Sequence, residues 1–106
     1  MDKATVLTIL DQYRRALENY GIRSNQIILY GSFSHGVARE GSDIDVVIIS
    51  TDFEGKDFWQ RVDVLAEALC DVRKPIEAIG MTPDEWKSAD SLIVEFAKQG
   101  ELVYAA

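Results

Sequence analysis

The sequence has little of what would indicate disulfides, thiolate metal clusters or membrane spans. It contains one cysteine, one histidine and two prolines among 106 residues. Cys70 alone cannot form an internal disulfide or a set of thiolate ligands, and we interpret it as a small buried apolar residue. Apolar runs such as Val46 to Ile49 are far shorter than the roughly 20 residues that a membrane-spanning helix needs. We therefore expect a cytoplasmic protein without a membrane partner.

Positive charge is scarce as well. Eleven Lys and Arg stand against eighteen Asp and Glu, which gives a net charge of −7. Because binding to nucleic acid depends on cationic side chains and no basic patch is visible, we expect no long nucleic-acid partner. The apolar share of 47% and the charged share of 27% are typical of a globular chain. The length fits one domain over residues 1–106.

Apolar periodicity predicts alternating helices and strands. Asp57 and Gln60 form a capping-box pattern, and Thr82-Pro83-Asp84-Glu85 combines an N-cap hydroxyl with proline at the first helical position. The predicted order is helix 3–20, strand 26–30, one or two helical turns within 32–39, strand 42–50, helix 57–71, strand 74–81, helix 83–99 and edge strand 102–104. This order predicts an α/β (α+β) chain with a small sheet.

Gly31 and Ser32 end the first predicted strand and begin a helical turn. Backbone N–H groups at such a helix start can face an anion, and phosphate is the natural ligand. Glycine allows the backbone to approach that ligand closely, and serine adds a hydroxyl at the same corner. The alternative is an ordinary turn glycine followed by an N-cap serine.

Asp43 and Asp45 lie two residues apart at the start of the second strand, so their side chains point to the same face. Ile44, Val46 and Ile48 then point to the opposite face, toward the core. Two carboxylates at this spacing suit Mg²⁺, which binds one or two carboxylates together with water and substrate phosphate. The alternative is a strand end exposed to solvent.

Glu77 lies on the third predicted strand and shares a face with Pro75 and Ile79. If this strand lies beside that of Asp43 and Asp45, Glu77 completes a cluster of three carboxylates. The alternative is a polar residue on the solvent side of an edge strand.

The combined pattern is Gly31-Ser32, ten intervening residues, then Asp43-Ile44-Asp45. It resembles the nucleotidyltransferases of the DNA polymerase beta superfamily. In its small size the chain is similar to the minimal nucleotidyltransferases that are paired with HEPN-domain proteins in prokaryotes. The resemblance covers residues 25–104 and departs from many relatives at Glu77, where they carry Asp, and at Ser34 and His35, where they carry Ala and a basic residue.

The resemblance implies a polymerase beta-like fold with a small mixed sheet and flanking helices. It implies that Asp43, Asp45 and Glu77 hold two Mg²⁺ ions and that Gly31 and Ser32 bind the nucleoside triphosphate. The implied reaction transfers AMP from ATP to a hydroxyl, with a tyrosine of a partner HEPN toxin as acceptor. The chain would then be a modifying antitoxin within a hetero-oligomer.

Two other functions remain open at this point. The chain could be a binding module that neutralises its partner by contact, with an inactive site, or it could nucleotidylate a small molecule such as an aminoglycoside. His35 and Arg39 could contact phosphate, although a solvent-facing or N-terminal helix histidine is the favoured interpretation of His35 and a surface pair with Glu40 is the alternative for Arg39. Trp59, Trp86 and Tyr104 could line a partner surface, but aromatic residues at such positions usually form the edge of the core.

Overall fold

A computed structural model describes residues 2–31, 43–88 and 92–106, apart from the side chains of Leu92, Ile93 and Phe96. Ser32, His35, Arg39 and the helical turns predicted over 32–39 lie outside the described residues. The elements are α1 (Lys3–Asn19), β1 (Gln26–Tyr30), β2 (Ile44–Ile49), a 3-10 helix (Thr51–Phe53), α2 (Phe58–Val72), β3 (Ile76–Met81), α3 (Pro83–Ser88), α4 (Leu92–Lys98) and β4 (Glu101–Ala105).

The four strands form one mixed sheet in the order β3-β2-β1-β4. β1 pairs antiparallel with both β2 and β4, whereas β2 and β3 run parallel and are connected through α2. β3 and β4 are therefore the edge strands. This arrangement confirms the expected α/β class with a small mixed sheet.

Helices α1 and α2 pack against one face of the sheet. The core on that face contains the alternate strand residues Leu29, Ile44, Val46 and Ile48, all fully buried. The Tyr13 hydroxyl donates a hydrogen bond of 2.9 Å to the Leu65 carbonyl and so connects the two helices. The sequence-based expectation that Ile44, Val46 and Ile48 face the core is confirmed.

The opposite face of the sheet carries a smaller apolar cluster. Ile28, Val47 and Ile49 pack there against Ala97 of α4, with Tyr30 at its margin. Residues that alternate with the main core along a strand necessarily point to this second face. None of the helices in the described part of the chain is both long and apolar enough to cross a membrane.

Helix starts follow the predicted capping chemistry. The Asp57 carboxylate accepts a hydrogen bond from the Gln60 backbone N–H, and the Gln60 side chain accepts one from the Asp57 N–H, both at 2.8 Å. Thr82 and Glu85 form the same reciprocal arrangement before α3, at 2.8 and 3.1 Å. Each box gives a side-chain acceptor to two backbone N–H groups that the helix itself leaves without a partner.

Two predictions about apolar side chains are wrong. Cys70 is exposed rather than buried, and Trp59 is 70% exposed rather than part of the core edge. Both lie on the side of α2 that faces away from the sheet, where periodicity alone cannot distinguish an unpartnered face from a buried one. The core-edge interpretation holds for Trp86 and Tyr104, which pack against the two clusters.

Candidate functional site

The candidate site lies at the beginning of β2, on the face of the sheet that carries the smaller cluster. Asp45 alternates with the buried Ile44 and Val46 and points to the same face as Val47. Asp43 immediately precedes the strand and is exposed. The strand thus carries apolar residues into the core and a half-buried carboxylate onto the opposite surface.

Strand register aligns three polar side chains in a row across the sheet. Tyr30 of β1 is the antiparallel partner of Asp45, and Glu77 of β3 is its parallel partner. Directly paired residues on neighbouring strands project from the same face, close enough for their side chains to interact. The sequence-based expectation that Glu77 lies beside Asp45 therefore agrees with the register.

Burial and the neighbouring charges shift the pKa values of side chains in this row. Burial raises the pKa of Asp45 to about 6, assisted by a hydrogen bond with Glu77 and by the negative charges of Glu77 and Asp43. A hydrogen bond between two carboxyl groups requires a proton on one of them, so Asp45 keeps its proton up to about pH 6 and releases it above that pH. Burial also raises the pKa of Tyr30, with further contributions from Asp45 and Glu77.

Gly31 follows β1 directly and lies against Asp45 on that side of the site. Its φ of +73° lies in the left-handed region, which residues with a Cβ adopt only with strain. A Cβ built at this position would overlap Oδ2 of Asp45 and lie 3.2 Å from its Cγ. Both the backbone angle and the approach to Asp45 therefore require glycine. Ser32, the second residue of the predicted phosphate corner, lies outside the described residues.

The chemistry of the donor set fits a hard divalent cation. Carboxylate oxygens are the protein ligands that Mg²⁺ prefers, and a cation would offset the burial and the negative charges that together raise the pKa of Asp45. Across residues 2–31, 43–88 and 92–106, no three acidic, histidine or cysteine side chains converge tightly enough to form a ready-made metal site. Glu77 is the register partner of Asp45, and the charges of Glu77 and Asp43 both act on Asp45. The metal-binding roles of all three remain a prediction.

Sequence reasoning missed Tyr30 as a member of this site. Its position directly before Gly31-Ser32 was visible, but an apolar strand of four large residues gave no reason to single it out. Its relevance follows only from the antiparallel register with β2, which brings it opposite Asp45.

Comparison with known proteins adds a family match. The family model described as "Nucleotidyltransferase domain" matches residues 10–99, most of the chain and all of the candidate site. A search of curated proteins gave no match.

Several solved structures share the fold. A Sulfolobus solfataricus protein described as a nucleotidyltransferase superposes with a TM-score of 0.68 at 14% identity, over 91% of this chain and 77% of its own. A toxin–antitoxin structure with AMP-PNP gives a TM-score of 0.64 at 18% identity, over 91% of this chain and 73% of its own. A mutant of the toxin–antitoxin MntA-HpeT gives a TM-score of 0.56 at 13% identity, over 100% of this chain and 75% of its own. At these identities the likeness shows the fold.

Proposed function

The chain belongs to the nucleotidyltransferase domain family, and from this we propose that it transfers AMP from ATP to a hydroxyl group on a partner protein. The partner we propose is a HEPN-type toxin, with a tyrosine as acceptor, and this chain acts as its antitoxin. The single observation that carries the catalytic part is the pairing of Asp45 with Glu77 beside Asp43, on a surface closed by Gly31.

Nucleotidyl transfer depends more on charge neutralisation and in-line positioning than on covalent help from the protein. Asp43, Asp45 and Glu77 would hold Mg²⁺, which stabilises the negative charge that develops on the attacking and leaving oxygens. The backbone at Gly31 would lie against the triphosphate, because it approaches Asp45 without a side chain in between.

The raised pKa of Asp45 sets a condition on this chemistry. A carboxylate binds Mg²⁺ in its deprotonated form, so Asp45, with a pKa of about 6, would act as a ligand above about pH 6. Glu77 is one methylene longer than the aspartate of many relatives, and its side chain is exposed. With this extra length, Glu77 would be one of the residues that hold the cation.

A protein acceptor is supported by the charge of the chain and by its structural neighbours. A net charge of −7 disfavours a polyanionic acceptor such as RNA. Two of the structures that share the fold are toxin–antitoxin complexes, one of them with the ATP analogue AMP-PNP. The proposal that the toxin is of the HEPN type rests on the motif resemblance.

The test uses the chain co-expressed and co-purified with a candidate HEPN-type protein. The complex is incubated with ATP and Mg²⁺, and the intact masses of both chains are measured. We expect the partner to gain the mass of one or more AMP groups. An Asp43→Asn, Asp45→Asn variant should give no gain, and Glu54→Gln, which removes an exposed acid elsewhere, should behave like the wild type.

Three outcomes would contradict the proposal in different ways. A tight complex with no mass gain and no Mg²⁺-dependent ATP binding would indicate an antitoxin that acts by contact. A mass gain that persists in the double variant would exclude this carboxylate site. Transfer to an aminoglycoside without the partner present would indicate a small-molecule acceptor.

A further inference from the structure

Helix α2 presents two adjacent rows of side chains to solvent, each spaced by four residues. The first, here called the apolar ridge, is Phe58, Val62, Ala66 and Cys70, and all four are exposed. Residues at this spacing stack along one line of a helix surface. A soluble chain usually places such a line against its own core, so a continuous exposed one is unusual.

The apolar ridge is most prominent at its N-terminal end. Phe58 is 66% exposed and Trp59 is 70% exposed. Their rings contact each other edge to face, with centroids 4.9 Å apart and planes at 82°. Large aromatic side chains with this exposure are the residues that most often anchor protein interfaces.

A groove of about 480 Å³ lies beside this end of the ridge. Its apolar lining includes Phe58, Val62 and Leu65 of α2 together with Ala78 and Ile79 of β3. β3 is an edge strand, and within residues 2–31, 43–88 and 92–106 no further strand covers this side of the sheet. The groove can therefore receive an apolar side chain from outside.

The second row, here called the acidic ridge, lies beside the first on the outer surface of α2. It consists of Asp63, Glu67 and Asp71, all of them exposed, and Trp59 lies one turn before Asp63 on the same line. The only basic residue within α2 is Arg61, whose side chain is 15% exposed and paired with Glu85 at 2.6 Å. The exposed surface of α2 is thus apolar along one line and negative along the next.

This pattern favours a basic partner over a second copy of the chain. A second copy would bring another net charge of −7 and another acidic ridge. Helix α2 has no basic row that could face the acidic ridge of the other copy. Like charges facing each other across an interface are unfavourable, whereas opposite charges provide specificity.

We infer that the apolar and acidic ridges of α2 form a docking surface for an amphipathic helix of a partner protein that carries basic residues beside its apolar row. This surface lies on the opposite face of the sheet from Asp45, because α2 packs on the main core and Asp45 projects from the other side. The inference therefore does not depend on the proposed transfer reaction.

The test measures binding of two synthetic helical peptides with the same leucine row at four-residue spacing. One peptide carries lysines beside the leucines, and the other carries glutamates. Binding is followed by the emission of Trp59 in a Trp86→Phe background, without ATP or Mg²⁺. We expect the lysine peptide to bind saturably with a blue shift of Trp59, and the glutamate peptide not to bind.

Variants distinguish binding at the two ridges from non-specific hydrophobic binding. Val62→Asp should weaken binding of the lysine peptide at least about tenfold, which corresponds to 1.4 kcal/mol. Asp63→Asn with Glu67→Gln should weaken it severalfold. Leu102→Asp, at an apolar residue of β4 that is 51% exposed, should leave binding unchanged. Trp59→Ser, followed by the peptide's own fluorescent label, replaces Val62→Asp if that variant loses its circular dichroism.

The inference is overturned if neither peptide binds, if both bind equally, or if Leu102→Asp weakens binding as much as Val62→Asp. It is also overturned if sedimentation equilibrium shows a dimer of the chain alone that Val62→Asp dissociates, since a second copy then occupies the surface. An Asp45→Asn variant that binds the lysine peptide normally but transfers no AMP would separate this surface from the catalytic proposal.

Discussion

Asp45 is less stable as a carboxylate in the folded chain than in the unfolded one. Its pKa is about 6 in the fold against an ordinary value of 3.8, chiefly because the side chain is partly buried and faces Glu77. Between these two values the folded chain holds a proton that the unfolded chain has released. The stability that this proton provides is complete below about pH 4 and is lost as the pH rises through about 6.

Asp45→Asn should therefore raise the melting temperature at about pH 8 while it abolishes transfer. Asparagine has the shape of the protonated acid and can donate an N–H to Glu77 without a negative charge. The gain should shrink as the pH falls from 6 toward 4, where the wild type regains its proton. Thermal melts in the presence of a chelator, recorded across this range for both proteins, measure the difference. A gain that does not vary with pH, or a less stable variant, would contradict this account of the site.

Gly31 should not tolerate even a methyl group. At φ +73° an alanine costs on the order of 1–2 kcal/mol of backbone strain, and its Cβ would also displace the Asp45 side chain. We expect Gly31→Ala to reduce both the free energy of unfolding and the transfer rate. Urea denaturation and the partner-modification assay measure the two effects.

Gly21→Ala is the matched control for Gly31→Ala. Gly21 has a φ of +87°, but a Cβ there would meet no atom within 4 Å. It should lose only the part of the free energy of unfolding that comes from backbone strain, and it should keep its transfer activity. If both variants keep activity in the folded state, the approach of Gly31 to Asp45 has no functional role.

At the scale of elements, Arg61 connects α2 with its surroundings. Its guanidinium donates hydrogen bonds to the carbonyls of Lys56 and Phe53 at 3.0 and 3.1 Å. It also donates to the carbonyl of Gly80 at 3.3 Å and to the Glu85 carboxylate at 2.6 Å. These bonds hold the start of α2 against the end of β3 and the start of α3, and the bond from Arg61 lowers the pKa of Glu85.

Arg61→Lys should lower the free energy of unfolding by about 2 kcal/mol, because an ammonium group cannot reach four acceptors in this planar arrangement and leaves buried carbonyls unpaired. Chemical denaturation measures the loss. Arg15→Lys is the control, since Arg15 is 72% exposed and its ion pair with Asp11 contributes about 1 kcal/mol or less. Equal losses in the two variants would contradict a special role for Arg61.

Local patterns predicted the elements well wherever the determining interactions lie close in sequence. The capping boxes before α2 and α3 involve residues three apart, and their hydrogen bonds are present as expected. The predicted strand 26–30 coincides with β1, because an apolar run that ends in glycine is sufficient to define it. The Arg61 network escaped prediction, since its acceptors come from three separate segments.

At the scale of the whole molecule, the sequence predicts residue types for the candidate site but not their geometry. The spacing of Asp43 and Asp45 predicts a common face, and their joint role at the site stays a prediction. That Glu77 stands opposite Asp45 depends on the parallel register of β2 and β3, which α2 and the main core set together. Tyr30 enters the site through a second long-range pairing, and no local pattern reports it.

The overall charge of the chain yields the last prediction. Part of its limited basic side-chain content is already engaged: Arg14 pairs with Asp11 and Glu18, and Lys3 pairs with Glu101. With a net charge of −7, the chain gains little from counterion release on a polyanion. We expect a fluorescently labelled RNA or DNA strand to show no anisotropy change at about 0.15 M ionic strength, with a Kd weaker than about 10⁻⁴ M.

The same titration with Mg²⁺ present separates this expectation from binding at the nucleotide site. Weak binding that appears only with Mg²⁺ and disappears in the Asp43→Asn, Asp45→Asn variant would reflect phosphate held by those carboxylates. Binding tighter than about 10⁻⁶ M that survives in this variant would instead require a cationic surface. That result would make a nucleic-acid acceptor credible and would count directly against a protein acceptor, because the acidity of the chain is the physical argument that separates the two.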